Sequence, residues 1–342
     1  MRARGVLFSK VPYRLQLCKL LLERGALPLL PGGGYYQCGV DPRGVAELPT
    51  VPAEQTDGLS TVHVVYAADA GYFSMLLCSM LSLARHLEAP EQCVIHLIVP
   101  KADVGPAGEL VECWRRELAG RAALPSVALH ELRLPASLAR QGLHSVPPNV
   151  TDMLLAHSRI YIATDYLPTA ARALWLDADT VVKADVAPLY RMGMRYPVAA
   201  APDTKCGVEH NRHSIPWLRE RHSGSYFCSG VLLLDLAKWR YSNLSGVVED
   251  VELRGKLLFT QPHYEQPALN LVFQGRHDIL DWRWHLQLLN SNLPVPKHLV
   301  DEARILHWNG LKGKPTAVSA RRANDHLIEF PRLQCDALRG KK

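Results

Sequence analysis

The sequence predicts an α/β fold in which one doubly wound sheet is flanked by helices, and three observations support this. Short apolar runs alternate with stretches of helical apolar spacing from Thr61 onward, which is the pattern of strands and helices built on one sheet. Of the 342 residues, 48% are hydrophobic and 21% are charged, a balance typical of globular proteins rather than disordered or fibrous ones. No internal repeat or low-complexity segment interrupts the alternation.

The first predicted elements form a βαβ unit. The run from His63 to Ala67 predicts a buried strand, residues 73–87 carry apolar side chains at helical spacing, and the run from Cys93 to Val99 predicts a second strand. This order implies a parallel pair with a right-handed crossover. Further along the chain, the same reasoning predicts helices over 109–118 and 158–166. It also predicts a strand that leads into Asp177 and strands over 127–132, 198–201, 230–235 and 304–306.

Composition predicts three segments of the chain and the charge of its ligands. Residues 1–56 are predicted to be an N-terminal extension or linker, residues 57–330 the folded domain, and residues 331–342 a C-terminal tail. The formal net charge of +6 suits anionic ligands, but the basic residues are spread along the chain, so we expect no nucleic-acid partner. The oligomeric state is left open. No apolar run reaches the roughly 20 residues of a membrane span; we expect cytoplasm, or the Golgi lumen if a longer parent supplies an anchor.

Two carboxylates follow the predicted strand from Leu174 to Leu176. Asp177 and Asp179 share one face if the backbone stays extended, because residues two apart in a strand point the same way. Ligands of open α/β sheets bind beyond the carboxyl ends of the strands, and paired carboxylates there suit a hard divalent metal that holds phosphate oxygens. The alternatives are two solvated loop aspartates, or a phosphatase with Asp177 as nucleophile. The phosphatase is disfavoured because no Gly-Asp or Asp-Asp pair follows downstream.

A second set of functional residue types follows the apolar run that ends at Leu306. His307 is a candidate third metal ligand, since neutral imidazole suits Mn²⁺. Gly310 would let the backbone approach a phosphate, and Lys314 would add positive charge. A lone histidine is more often structural, but the order of Gly, Lys and Pro in this loop favours binding.

Segments in this order resemble the family 8 glycosyltransferases, which are retaining enzymes with the GT-A fold. The resemblance extends from about Thr61 to Pro315, and the combination is more specific than any one segment. The segments that carry it are Tyr66-Ala67-Ala68-Asp69, Ser158-Arg159-Ile160-Tyr161 with Leu167-Pro168, Leu176-Asp177-Ala178-Asp179, Tyr226 to Leu232 with Trp239-Arg240, His263 to Asn270, and His307 to Pro315.

The resemblance implies a GT-A fold, with a single Rossmann-like mixed sheet flanked by helices, and a transfer reaction. A hexosyl or pentosyl group would move from a UDP-sugar to a hydroxyl of a carbohydrate, glycoprotein or glycolipid acceptor. Mn²⁺ or Mg²⁺, held by Asp177, Asp179 and His307, would assist the departure of UDP. The residues expected to bind the UDP-sugar are Ala67, Asp69, Arg159, Asp177, Ala178, Gly310 and Lys314.

The resemblance also implies that the reacting centre lies near Gln266, with Glu265 beside it. An amide is a poor nucleophile, so we favour attack on the same face as the leaving group, with Gln266 stabilising positive charge and Glu265 orienting hydroxyls. The alternative is that Glu265 traps the glycosyl group. Asp203, which follows the predicted strand 198–201, is a candidate to face the donor sugar, and a role as a turn residue is equally consistent.

The chain departs from the family pattern at several positions. Cys228 stands where the family usually has Asn, Glu265 where it has Asp, and Thr316 where Trp is common. The loop from His307 to Lys314 is also one residue longer than in many members. These departures keep a second function class open, a nucleotide-sugar-binding protein that has lost catalysis. The aromatic segment 281–286 is expected to be core rather than an acceptor platform.

Overall fold

A computed structural model of the chain describes residues 59–134, 151–203, 227–255, 265–273, 276–288 and 297–308. The predicted extension (residues 1–56) and tail (331–342) lie outside these residues, as do Gly310, Lys314 and Thr316. Among the described helices, none has both the length and the apolar character that crossing a membrane requires.

The main sheet of the described part has seven strands: β1 (Val62–Ala67), β2 (Cys93–Val99), β3 (Ser126–Glu131), β4 (Arg172–Leu176), β6 (Val198–Pro202), β7 (Phe227–Asp235) and β8 (Asp278–Ile279). They lie in the order β3-β2-β1-β4-β7-β6-β8. β1 is parallel to β2 and to β4, whereas β7 is antiparallel to both β4 and β6. The sheet is therefore mixed, as the predicted fold class requires.

A second, smaller sheet of three short strands lies beside the end of β4. In it β10 (Ile305–His307) pairs antiparallel with β5 (Thr180–Val182) and parallel with β9 (Leu286–Gln287). The sequence predicted β10 but neither β5 nor β9. Strands of two or three residues carry too little periodicity to be recognised by alternation, and β10 was predicted only from the apolar run that leads into His307.

Eight α-helices flank the sheets in the described part: α1 (Phe73–His86), α2 (Val104–Glu117), α3 (Thr151–His157), α4 (Ala187–Tyr190), α5 (Leu236–Tyr241), α6 (Leu244–Gly255), α7 (Gln266–Phe273) and α8 (Lys297–Glu302). The first predicted helix is confirmed. The one expected over 109–118 begins earlier, at Val104.

The helix predicted over 158–166 was wrong in type. α3 continues into a 3₁₀ turn, Ser158–Tyr161, and then into a π turn, Ile162–Tyr166. The last turn is closed by Leu167 N donating to Ile162 O at 2.7 Å. Proline disfavours the α conformation in the residue before it, so Pro168 prevents Leu167 from continuing an ordinary helix.

Alternate residues of the central strands enter two apolar layers, one on each side of the main sheet. Leu174 and Leu176 of β4 belong to the layer that includes α1 and α2, whereas Ala173 and Trp175 belong to the opposite layer with α7. Successive strand side chains point to opposite faces, so a strand buried on both sides reads as a continuous apolar run. The core therefore holds β4 rigidly up to Leu176, where the polar residues begin.

Candidate active site

Three chain segments converge where β4 ends. β7 runs antiparallel to β4, so the start of β7 lies beside the end of β4, with Leu176 opposite Val231. Asp177 N then donates to Gly230 O at 2.8 Å. β10 ends at the same place, because His307 pairs with Thr180 of β5. The two sheets thus bring residues from distant parts of the sequence to one edge.

Asp177, Asp179 and His307 form a compact cluster at this edge. His307 Nε2 lies 3.2 Å from Asp179 Oδ1 and 3.6 Å from Asp177 Oδ2. One ligand atom from each of the three residues lies within 4.8 Å of the other two. The Asp177 side chain is 27% exposed while that of Asp179 is 5% exposed. The cluster is therefore open to solvent on the side of Asp177, where a ligand could enter.

His307 can occupy this position because residue 230 is a glycine. A Cβ atom at Gly230 would lie 2.2 Å from His307 Cε1 and 2.6 Å from His307 Nδ1. Real Cβ atoms essentially never approach another heavy atom closer than 3.0 Å. The histidine ring therefore packs directly against the backbone of β7, and any side chain at Gly230 would displace it.

Asp177 is oriented by two donors that bind one of its oxygens. Arg159 Nη2 donates to Asp177 Oδ1 at 3.0 Å, and Trp175 Nε1 donates to the same oxygen at 2.8 Å. The guanidinium also lies over the Trp175 ring, 4.4 Å from its centroid, a favourable cation–π arrangement. With Oδ1 held by these donors, Oδ2 is directed toward His307.

Arg159 also connects the acid cluster to Glu265. Arg159 Nη1 lies 3.0 Å from Glu265 Oε1, and both side chains are buried. Ser229 Oγ donates to the same carboxylate oxygen at 2.9 Å. Burial raises the pKa of Glu265, while the positive charge of Arg159 opposes this shift. These contacts of Arg159 are to protein groups, and a direct contact with a nucleotide sugar stays a prediction.

Gln266 belongs to the same network. Its Oε1 accepts from Ser229 N at 2.8 Å, and its Nε2 donates to Asp203 Oδ2 at 2.9 Å. Asn270, one turn further along α7, binds Phe227 N and O through its amide group. The start of α7 is thereby fixed against the start of β7, and Asp203, which is buried, lies next to Gln266.

The remaining predicted binding residues lie around this edge. Ala67 ends β1, the strand next to β4, and Asp69 caps the following turn by accepting from Gly71 N at 2.9 Å. Ala178 is buried between the two aspartates. Gly310 and Lys314 lie outside the described residues. The segment 281–286 was expected to belong to the core. Trp284 is buried in agreement with this, whereas Trp282 is 39% exposed.

Sequence reasoning missed residues that support the cluster. His285 Nε2 lies 2.8 Å from His307 Nδ1, and the two rings stack. Burial, with the neighbouring His307, lowers the pKa of His285 well below its ordinary value. The sequence places Trp175 in a predicted strand and Ser229 in a motif, but it does not predict that either side chain binds a carboxylate of the site. The sequence holds no local signal for these roles, because each depends on contact with a distant segment.

Comparison with known proteins agrees with this geometry. The sequence model for "Glycosyl transferase family 8" matches residues 63–315, which include every residue of the cluster. The chain belongs to glycosyl transferase family 8. The resemblance inferred from the motifs is thereby confirmed, and the protein is a family 8 glycosyltransferase.

Relatives and solved structures agree on family and fold. This family 8 glycosyltransferase is 28% identical over 289 residues to "Probable galacturonosyltransferase-like 3" of Arabidopsis thaliana, covering 78% of this chain and 77% of the relative. It superimposes on the galactosyltransferase LgtC, solved with donor and acceptor sugar analogues, with a TM-score of 0.55 at 18% identity, covering 78% of this chain and 93% of LgtC.

A third comparison is with the bifunctional glycosyltransferase WbbM, which gives a TM-score of 0.58 at 18% identity. The alignment covers 75% of this family 8 glycosyltransferase but only 47% of WbbM, the longer protein. At such low identities the structural matches establish the fold. The GT-A architecture predicted from the sequence is therefore confirmed.

Proposed function

We propose that the protein is a metal-dependent retaining glycosyltransferase that moves a hexosyl or pentosyl group from a UDP-sugar to a hydroxyl of a carbohydrate, glycoprotein or glycolipid acceptor. The observation that carries this proposal is the cluster of Asp177, Asp179 and His307, whose ligand atoms lie within 4.8 Å of one another. Two carboxylates and one imidazole are a donor set that suits Mn²⁺ or Mg²⁺. Family membership and the donor and acceptor analogues named for LgtC support the same chemistry.

The donor atoms are arranged to fit such an ion. Asp177 Oδ1 is bound by Arg159 and Trp175, which leaves Oδ2 on the side of His307. His307 Nδ1 is bound by His285, which leaves Nε2 facing both carboxylates. When bound, a divalent cation supplies positive charge that stabilises a departing diphosphate. The protein's part is to hold the ligand atoms in place before the donor arrives.

The surroundings of Glu265 favour attack on the same face as the leaving group. A two-step retaining mechanism needs a carboxylate that is free to attack the sugar. Glu265 Oε1 instead lies in an ion pair with Arg159 and accepts from Ser229 Oγ, and both contacts reduce its nucleophilicity. We infer that a diphosphate oxygen takes the proton of the acceptor hydroxyl while Gln266 stabilises the developing positive charge. A covalent glycosyl adduct on Glu265, detected by mass spectrometry, would overturn this mechanism.

The direct test is UDP release from a panel of donors in Mn²⁺: UDP-galactose, UDP-glucose, UDP-xylose and UDP-galacturonic acid. Asp179→Ala should lower UDP release by at least about 100-fold and weaken UDP binding in Mn²⁺, because it removes a ligand. The melting temperature should change by only a few degrees, since the metal site stabilises the bound state more than the fold. The matched control is Asp185→Asn, which can keep the hydrogen bond to Ala187 N. Unchanged turnover in Asp179→Ala would refute the site.

The same measurements separate the other functions considered. A nucleotide-sugar binder without catalysis would bind UDP in Mn²⁺ by calorimetry but release none from any donor. An Asp-nucleophile phosphatase would hydrolyse p-nitrophenyl phosphate and lose this activity in Asp177→Asn. The match to a glycosyltransferase family over residues 63–315 favours transfer over the phosphatase.

A further inference from the structure

A buried thiol lies next to the two histidines of the active site. Cys228 and Gly230 are two residues apart in β7 and therefore share one face of the strand. That face carries the His307 ring, which packs against Gly230. The Cys228 sulfur, one nitrogen of His285 and one nitrogen of His307 lie within 4.8 Å of one another, and all three residues are buried.

His285 is only half satisfied by the described residues. Its Nε2 lies 2.8 Å from His307 Nδ1. Its Nδ1 is buried and has no hydrogen-bond partner within the described part of the chain. Leaving a polar group buried and unpaired costs about 1–3 kcal/mol. An apolar side chain of similar size would avoid this cost, so the contact of Nε2 with His307, rather than space filling, accounts for a histidine at this position.

The chemistry of these three residues differs from that of the acid cluster. A thiolate and two imidazoles are soft and borderline ligands, which select Zn²⁺ or Co²⁺ in tetrahedral geometry. Ligand atoms of such a site are separated by about 3.3–3.6 Å, as metal–ligand distances of about 2.0–2.3 Å require. The facing nitrogens of the two histidines lie 2.8 Å apart, and the ligand atoms of the three residues lie within 4.8 Å of one another. The three residues can close around an ion with small side-chain movements.

His307 connects this group to the acid cluster through its two nitrogens. Nε2 faces Asp179 Oδ1 at 3.2 Å, so Nδ1 is the nitrogen available to His285 and Cys228. A neutral imidazole has one lone pair and one N–H. If Nδ1 binds a metal, the proton resides on Nε2 and can be donated to Asp179, as in carboxylate–histidine–zinc triads. If Nε2 binds a metal, the proton resides on Nδ1 and is donated to His285.

We propose that Cys228, His285 and His307 form a second cation site, selective for thiophilic metals such as Zn²⁺ and mutually exclusive with the site of Asp177, Asp179 and His307. Binding releases the thiol proton of Cys228 to solvent and moves the His307 proton from Nδ1 to Nε2, with no change of oxidation state. Zn²⁺ at this site therefore inhibits transfer supported by Mn²⁺. The inhibition rests on the proposed function, whereas the site itself does not.

The site is tested by titrating the metal-free full chain with Co²⁺ and recording its absorption spectrum. A thiolate ligand produces a near-ultraviolet charge-transfer band, and tetrahedral geometry intensifies the visible bands. We expect both in the wild-type protein, their loss on addition of Zn²⁺, and no charge-transfer band in Cys228→Ser or Cys228→Asn. Cys78→Ser, which removes another buried thiol, should keep the band. Wild-type protein that shows no charge-transfer band at saturating Co²⁺ would overturn the proposal, whatever the behaviour of the variants.

Further variants separate this site from the proposed function. Asp179→Asn should keep the thiolate band, because Asp179 is not a ligand of this site and an asparagine Oδ1 can still accept from His307 Nε2, whereas His285→Gln should lose it. In UDP-release assays with Mn²⁺, added Zn²⁺ should lower the wild-type rate by at least about tenfold, a typical effect of losing a metal-site residue. The ratio of rates with and without Zn²⁺ should stay near one in Cys228→Asn. A thiolate band without any UDP release would support the second cation site and reject the transferase proposal. UDP release without a thiolate band would support the transferase proposal and reject the second cation site.

Discussion

Gly230→Ala should disrupt the candidate active site although it adds only a methyl group. The new Cβ would lie 2.2 Å from His307 Cε1, whereas ordinary contacts begin at 3.4 Å, so the ring must move by about 1.2 Å. Metal sites tolerate ligand displacements of only about 0.2 Å. We therefore expect Mn²⁺ affinity in the presence of UDP to fall by at least about 10–100-fold, and UDP release to fall with it.

Stability measurements can show that His307 is the group displaced. Overpacking costs about 1–3 kcal/mol, and urea denaturation of Gly230→Ala should show a loss of this size. When His307→Ala is already present, Gly230→Ala should cost much less stability, because a double-mutant cycle isolates the contact between the two residues. Gly108→Ala is the matched control, since a Cβ there meets no atom within 4 Å. If Gly230→Ala keeps wild-type Mn²⁺ affinity and turnover, the packing argument is refuted.

Two further predictions concern buried charges and histidines. Arg159→Met leaves Glu265 buried without its cationic partner, so we expect the free energy of unfolding to fall by about 3–5 kcal/mol. In urea denaturation the double variant Arg159→Met/Glu265→Gln should recover much of this loss. If it recovers none, the two residues are not coupled. His96 lies between His63 and His130 in a hydrogen-bonded row across β1, β2 and β3, and burial lowers its pKa to about 3. Between pH 6.5 and 3, His96 is therefore protonated in the unfolded chain but not in the native protein. Acidification should lower the free energy of unfolding by up to about 1.4 kcal/mol per pH unit in this range. His96→Gln should flatten this slope while His86→Gln, at an exposed site, leaves it unchanged; equal slopes in wild type and His96→Gln would contradict the assignment.

Local patterns in the sequence were enough to identify the acid pair and the sheet that carries it. The apolar run into Asp177, with the two carboxylates immediately after it, depends only on neighbouring residues, and β4 ends at Leu176 as that pattern predicts. The alternation of strands and helices predicted the α/β fold for the same reason. The helical spacing over residues 158–166 did not distinguish an α-helix from the 3₁₀ and π turns that form there.

The partners of the acid pair were decided by tertiary structure. β7 lies antiparallel beside β4, and this pairing places Gly230 next to Asp177, with Ser229 and Cys228 preceding it in β7. The three-stranded sheet positions His307 against Gly230 and His285 behind it. No pattern within one segment encodes these contacts, because they join side chains that meet only after the sheet has formed. The sequence by itself therefore determined the fold class and candidate metal ligands, while the packing of distant segments determined how those ligands are oriented and which other side chains join them.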